Sequence, residues 1–146
     1  MAIIENLDQA AEALIGLGYN VIHNEEAVHI AVGGTNTPFT AVLTINDSNE
    51  VVINCQVAKL GDLNEDDIPT VQFGLLDANT RISPFAFGII SGSDNPEIND
   101  AAQFPIVLTD SIPLGDLSTG ELNAAMDSLL VAIESAGEVL RLGLKG

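Results

Sequence analysis

Residues 28–57 read VHIAVGGTNTPFTAVLTINDSNEVVINCQV, and their phase decides the fold. Val28, Ile30 and Val32 alternate with His29 and Ala31, the period of a half-buried strand. Phe39, Ala41, Leu43 and Ile45 then share one face, while Thr40, Val42 and Thr44 share the other. Val51, Ile53, Cys55 and Val57 make a third inward face. Two turn sequences separate these runs: Gly33-Gly34-Thr35-Asn36, with glycines free to take positive φ, and Asn46-Asp47-Ser48-Asn49. Short alternating strands joined by tight turns predict an antiparallel meander.

Upstream, a short strand at 19–23 joins the meander through Asn24-Glu25-Glu26. Before it, Asn6-x-x-Gln9 has capping-box form, and Leu7, Ala10, Ala11, Leu14 and Leu17 recur at helical spacing. Gly18 stands where a helix C′ glycine belongs.

Downstream the period changes. Glu65, Asp66 and Asp67 suit a helix start, where carboxylates meet the positive end of the dipole. Pro69 fits the first turn, Ile68, Val71, Leu75 and Leu76 supply a buried stripe, and Asn79 marks the stop. The stretch 85–91 reads as a strand apolar on both faces, with Phe85, Phe87 and Ile89 on one and Ala86 and Ile90 on the other. Such a strand is expected to be central in its sheet or covered by another chain. A polar surface loop follows at 92–103, then a strand at 104–108 with Phe104, Ile106 and Leu108 on one face. Ser118-Thr119-Gly120-Glu121 opens the last helix, whose stripe is Leu122, Met126, Leu129, Ile133, Ala136 and Leu140. Running to about residue 142, it would be roughly 37 Å long and able to cover a whole sheet. The expected class is α+β: an antiparallel sheet flanked by helices, in the order α-β-β-β-β-α-β-β-α, within one domain spanning 1–146.

Composition limits what this domain does. The chain carries 21 acidic residues against four basic ones, Lys59, Arg81, Arg141 and Lys145, for a net charge of −17. That charge repels phosphate backbones and anionic lipid heads, so neither a nucleic acid nor a membrane surface is expected as a partner. Hydrophobic residues make up 47% of the chain and mean hydropathy is +0.32, so the acids decorate a packed body instead of signalling disorder. Their plain reading is solubility, and the sharper one is a field that attracts a basic partner segment. The first residues lack a basic stretch, Glu5 and Asp8 interrupt any apolar run, and no run approaches the roughly 20 residues that span a bilayer. A reduced, cytoplasmic setting is the expectation.

Catalytic and metal constellations fail on spacing or phase. Cys55 cannot form an internal disulfide, being the only cysteine, and its strand phase predicts a buried, inert thiol. His29 faces the opposite side of its strand, and His23 lies on another element. Two histidines and one cysteine so placed match no structural zinc pattern. Asp62-x-Asn64-x-Asp66 begins like a calcium loop, but the sixth and twelfth positions are Asp67 and Phe73 where glycine and glutamate are required. Asp94, Glu97 and Asp100 supply oxygens for at most a weak calcium site. No catalytic residue, metal ligand or cofactor is assigned.

The second half carries a resemblance. Leu75-Leu76-Asp77-Ala78-Asn79 ends a helix on asparagine, residues 81–90 run into a strand, and Phe104-Pro105-Ile106-Val107-Leu108 is its neighbour. Ile112-Pro113-Leu114-Gly115-Asp116-Leu117-Ser118 then leads into the long helix. This order resembles the YbjN-type proteins and their fold relatives, the type III secretion chaperones. The resemblance implies a chaperone-like or regulatory domain, often a homodimer, that binds a protein partner without catalysis. The interface expected on that basis is Val71, Leu75, Phe85, Phe87 and Ile89, although most of these residues suit the core beneath the helices better. The competing expectation is a small-molecule-binding protein or hydrolase with a pocket between sheet and helices, with Cys55 or an acidic pair at its mouth.

Overall fold

The computed structural model describes residues 3–32, 39–90, 104–115 and 117–143. The expected loops at 33–36 and 92–103, with Asp94, Glu97 and Asp100, lie outside the described residues. The elements are α1 (Leu7–Gly16), β1 (Val21–His23), β2 (Val28–Val32), β3 (Phe39–Ile45), β4 (Glu50–Lys59), α2 (Ile68–Ala78), β5 (Ala86–Ile89), β6 (Pro105–Pro113) and α3 (Thr119–Leu140). Their order is the α-β-β-β-β-α-β-β-α read from the sequence.

Local chemistry sets the boundaries. Asn6 Oδ1 accepts from the Gln9 N–H at 2.9 Å, and Gln9 Oε1 accepts from the Glu5 N–H at 2.7 Å, so reciprocal side-chain bonds start α1. Gly18, at φ +98°, takes the left-handed turn that ends it. Ser118 Oγ accepts from the Glu121 N–H at 3.1 Å and starts α3. In the β3–β4 turn, Asn46 Oδ1 accepts from the N–H groups of Ser48 and Glu50, both at 3.0 Å.

All strand pairings are antiparallel, and the sheet order is β1-β2-β3-β4-β6-β5. One row crosses all six strands: Val21, Ile30, Ala41, Cys55, Leu108 and Phe87. The next row is Val28, Leu43, Ile53 and Asp110. Apart from half-buried Val21 and Asp110, these residues are buried, and the helices pack on their side with Leu14, Val71, Met126 and Leu129. The opposite face carries Ile22, His29, Val42, Asn54, Thr109 and Ala86. A bulge at Gln56–Ala58 shifts the phase, so Ala58 turns inward and Val57 is only half-buried, not the full core position expected.

Three further expectations change. The apolar strand at 85–91 is not central: among the described residues β5 is an edge strand, paired with β6 alone. Its two-sided apolarity arises because Phe85 and Phe87 serve the core while Ile89 and Ile90 remain partly exposed. Leu76 is 69% exposed, because the buried stripe of α2 runs Val71, Leu75, Ala78 and Leu76 falls a further 100° around the helix. The strand expected at 104–108 continues to Pro113, since Thr109–Pro113 pair with the first half of β4. Asp110 and Ser111 are poor strand formers, but tertiary pairing overrides that local preference.

Candidate interaction surface

A short 3-10 turn, Glu65–Asp67, leads into α2, with Pro69 in the first helical turn where its missing N–H costs nothing. Val71, Leu75 and Ala78 face the core. Gly74 allows close approach to α3: a Cβ there would lie 2.8 Å from Val139 Cγ1. The opposite side of α2 presents Phe73, 75% exposed, and Leu76. Large apolar side chains so exposed, three apart on one helix, need an occupant or cost solubility.

Asn79 joins this helix to β5. Its Oδ1 accepts from the Phe87 N–H at 2.6 Å, and its Nδ2 donates to the Phe87 carbonyl at 3.4 Å. The Ile90 N–H donates to the Pro105 carbonyl, so by antiparallel alternation the Phe87 peptide groups point away from β6. The Asn79 amide therefore satisfies the sheet edge at Phe87 in the manner of a neighbouring strand. Between α2 and β5 lies a mainly apolar groove of about 280 Å³, lined by Gln72, Leu75, Leu76, Phe87, Gly88 and Ile89. Asp77, on the same helix, is paired with Arg81 at 3.0 Å. Among the described residues, none that lines the groove is charged.

The five interface residues expected from the sequence divide. Val71 and Phe85 are 0% and 1% exposed and belong to the protein's own core. Leu75 and Phe87 are nearly buried and contribute to the groove, with Ile89 at its rim. Phe73 and Leu76 were not among the five: Leu76 reads as part of the buried stripe, and Phe73 lies outside it with nothing in the sequence to mark its exposure.

Catalytic chemistry finds little support in these positions. Cys55 is buried, and burial pushes its thiol up to about 11, so that it stays a protonated thiol at neutral pH. It lies on the helix-covered row, whereas His29 belongs to the opposite face. His23 instead places Nδ1 3.6 Å from Asp8 Oδ1, linking β1 to α1. Asp62 accepts from the Lys59 N–H at 2.9 Å and caps a turn. Among the described residues, no three His, Cys, Asp or Glu side chains group to hold a metal ion. Nor, among them, is any helix long and apolar enough to cross a membrane.

The fold recurs in solved structures. A crystal structure of an uncharacterized protein from Methanothermobacter thermautotrophicus matches with a TM-score of 0.59 at 14% identity, over 92% of this chain and 95% of that one. The ExsC–ExsE complex gives a chain matching at 0.56 and 15% identity, covering 89% of each. The Yersinia pestis type III secretion chaperone SycH, in complex with a stable fragment of YscM2, matches at 0.52 and 18% identity, over 86% and 93%. The fold is secretion-chaperone-like. No protein-family model and no curated protein matches the sequence.

Proposed function

We propose that the chain is a non-enzymatic protein-interaction domain that works as a homodimer, with the α2–β5 surface as the contact between copies. The observation that carries this reading is the uncharged groove beside an exposed aromatic. Phe73 and Leu76 project from the same helix that walls the groove, so a two-fold axis would set each copy's projection against the other's recess. Two molecules of net charge −17 repel, and like charges brought into contact would add to that. A groove whose described lining carries no charge, and whose nearby Asp77 is already paired, avoids this penalty. Asn79 occupies the β5 edge at Phe87, so contact is by side-chain packing and not by a continuous sheet.

The similar structures support binding as the role: SycH is a type III secretion chaperone solved with a protein fragment, and the ExsC–ExsE structure is a complex. The YbjN-type resemblance of 75–118 fits the same reading, with a regulatory or chaperone-like duty in the cytoplasm. Sedimentation of the wild type and of Leu76→Glu tests the dimer. The wild type should sediment as two chains of 15.2 kDa each, and the variant, burying a carboxylate in the contact, should dissociate at least tenfold more readily. A wild type that sediments as one chain at all concentrations would remove the proposal.

A further inference from the structure

The outer edge of β5 is closed by the chain itself. The Ile90 N–H donates to the Pro105 carbonyl at 3.1 Å, so Ala86, Gly88 and Ile90 turn their peptide groups towards β6. Phe85, Phe87 and Ile89 turn theirs outwards. The Phe85 N–H donates to the Ile82 carbonyl at 3.0 Å. Asn79 takes both groups of Phe87, accepting from its N–H at 2.6 Å and donating to its carbonyl at 3.4 Å. Within β5 and among the described residues, that leaves Ile89 as the position with an outward N–H and C=O to offer.

An added antiparallel strand exchanges two bonds with each outward residue. With Phe87 occupied, it gains such a pair at Ile89 alone, too little to offset the ordering of a strand. Exposed edges template pairing with other chains, and charge, proline or a bulge commonly guards them. The β5 sequence Ala86-Phe87-Gly88-Ile89 carries neither charge nor proline, and its pairing with β6 runs without a register shift. The edge at the other end of the sheet differs: Asp8, Glu25 and Glu26 line a groove beside the β1–β2 turn, so two copies presenting β1 would repel. A two-fold axis through Gly88 would set Phe87 of one copy opposite Ile89 of the other, with no side chain at the axis and no charge brought together.

We propose that Asn79 is a guard, a side-chain stand-in for a strand, which keeps two copies from joining through β5 into one continuous sheet. Its loss opens an edge whose occupant is the β5 of a second copy. The amide suits this duty because its carbonyl and NH2 reproduce the acceptor and donor of a peptide group. The inference concerns main-chain groups and stands apart from the side-chain dimer of the α2–β5 surface.

Residue-resolved hydrogen exchange on the full chain tests it. In the wild type the Phe87 amide should be protected and the Ile89 amide should exchange freely, whatever the concentration. In Asn79→Ala both amides should be open in dilute protein and slow at least tenfold as the protein is concentrated. Adding Ile89→Pro removes the second outward N–H, spares the β5–β6 bonds, and should abolish that slowing. Thr80→Ala removes a neighbouring bond at the end of α2, from the Thr80 hydroxyl to the Asp77 carbonyl, and should behave as the wild type. Free exchange at Phe87 in the wild type would overturn the proposal, whether or not the variants fold. So would concentration-independent exchange in an Asn79→Ala that is folded by circular dichroism, slowing that survives Ile89→Pro, or slowing in Thr80→Ala. Side-chain packing bonds no β5 amide, so a wild type that sediments as one chain would remove the dimer and leave these expected outcomes unchanged.

Discussion

Cys55 and Asp110 show how a single position in the sheet sets chemistry. The thiol sits in a row of apolar side chains, and its raised pKa follows from burial alone. We expect a maleimide to leave Cys55 unmodified in the native protein at pH 8 and to modify it fully after denaturation; rapid native labelling would contradict the burial. Asp110 ends the row Val28, Leu43, Ile53, and burial raises its pKa, opposed by the Ser111 N–H that donates to its Oδ1 at 2.9 Å. A carboxylate with a raised folded-state pKa binds its proton more tightly in the native protein. Its favourable contribution is complete below the unfolded value of 3.8 and is lost as pH rises through the folded one. Asp110→Asn should therefore raise the melting temperature at pH 7, with the difference shrinking towards zero as pH falls below about 3.8. An equal or lower melting temperature for the variant at pH 7 would show that the carboxylate is stabilising there. Cys55 was legible in the sequence because alternation fixes side; Asp110 was not, because nothing local shows that a turn-like Asp-Ser pair continues a strand.

At the scale of elements, the meander and the two capped helices followed from alternation, turn residues and Asn or Ser caps. What the sequence hid was adjacency. The chain order puts β5 before β6, but only the sheet shows that β6 lies inside and β5 at the edge. The stop signal at Asn79 was legible as a helix end, yet its second duty depends on Phe87 arriving beside it, eight residues on. Asn79→Ala should cost about 1–3 kcal/mol, since it strips both edge bonds from Phe87, and urea unfolding measures it. A loss under about 0.5 kcal/mol would mean that water replaces the amide without penalty. The α2–α3 contact gives a coupled test. Alanine at Gly74 would gain up to about 1 kcal/mol in helix propensity, but its methyl would meet Val139, whose χ1 is stiff in a helix. Gly74→Ala should thus destabilise, and Val139→Ala added to it should recover part of that loss; simple additivity of the two would rule out the steric account.

For the whole molecule, the charge acquires a geometry. The acids cluster at turns and helix starts, at Glu25 and Glu26, at Glu65 to Asp67, whereas among the described residues the α2–β5 groove lining is uncharged. The sequence showed the excess of acid and the fold class; it did not show which surface the acids avoid, because that depends on which side of α2 the core consumes. In the proposed dimer this uncharged surface joins the two copies. Thr70 is exposed in the first turns of α2, and the buried Cys55 should stay silent to labelling, so Thr70→Cys accepts a single spin label. Dipolar electron resonance on that variant should give one inter-chain distance band below roughly 30 Å, since packed helices lie 8–10 Å apart and each label adds its tether. Absence of dipolar modulation at concentrations where the chain sediments as a dimer, or a distance well beyond that band, would place the contact elsewhere and contradict the account.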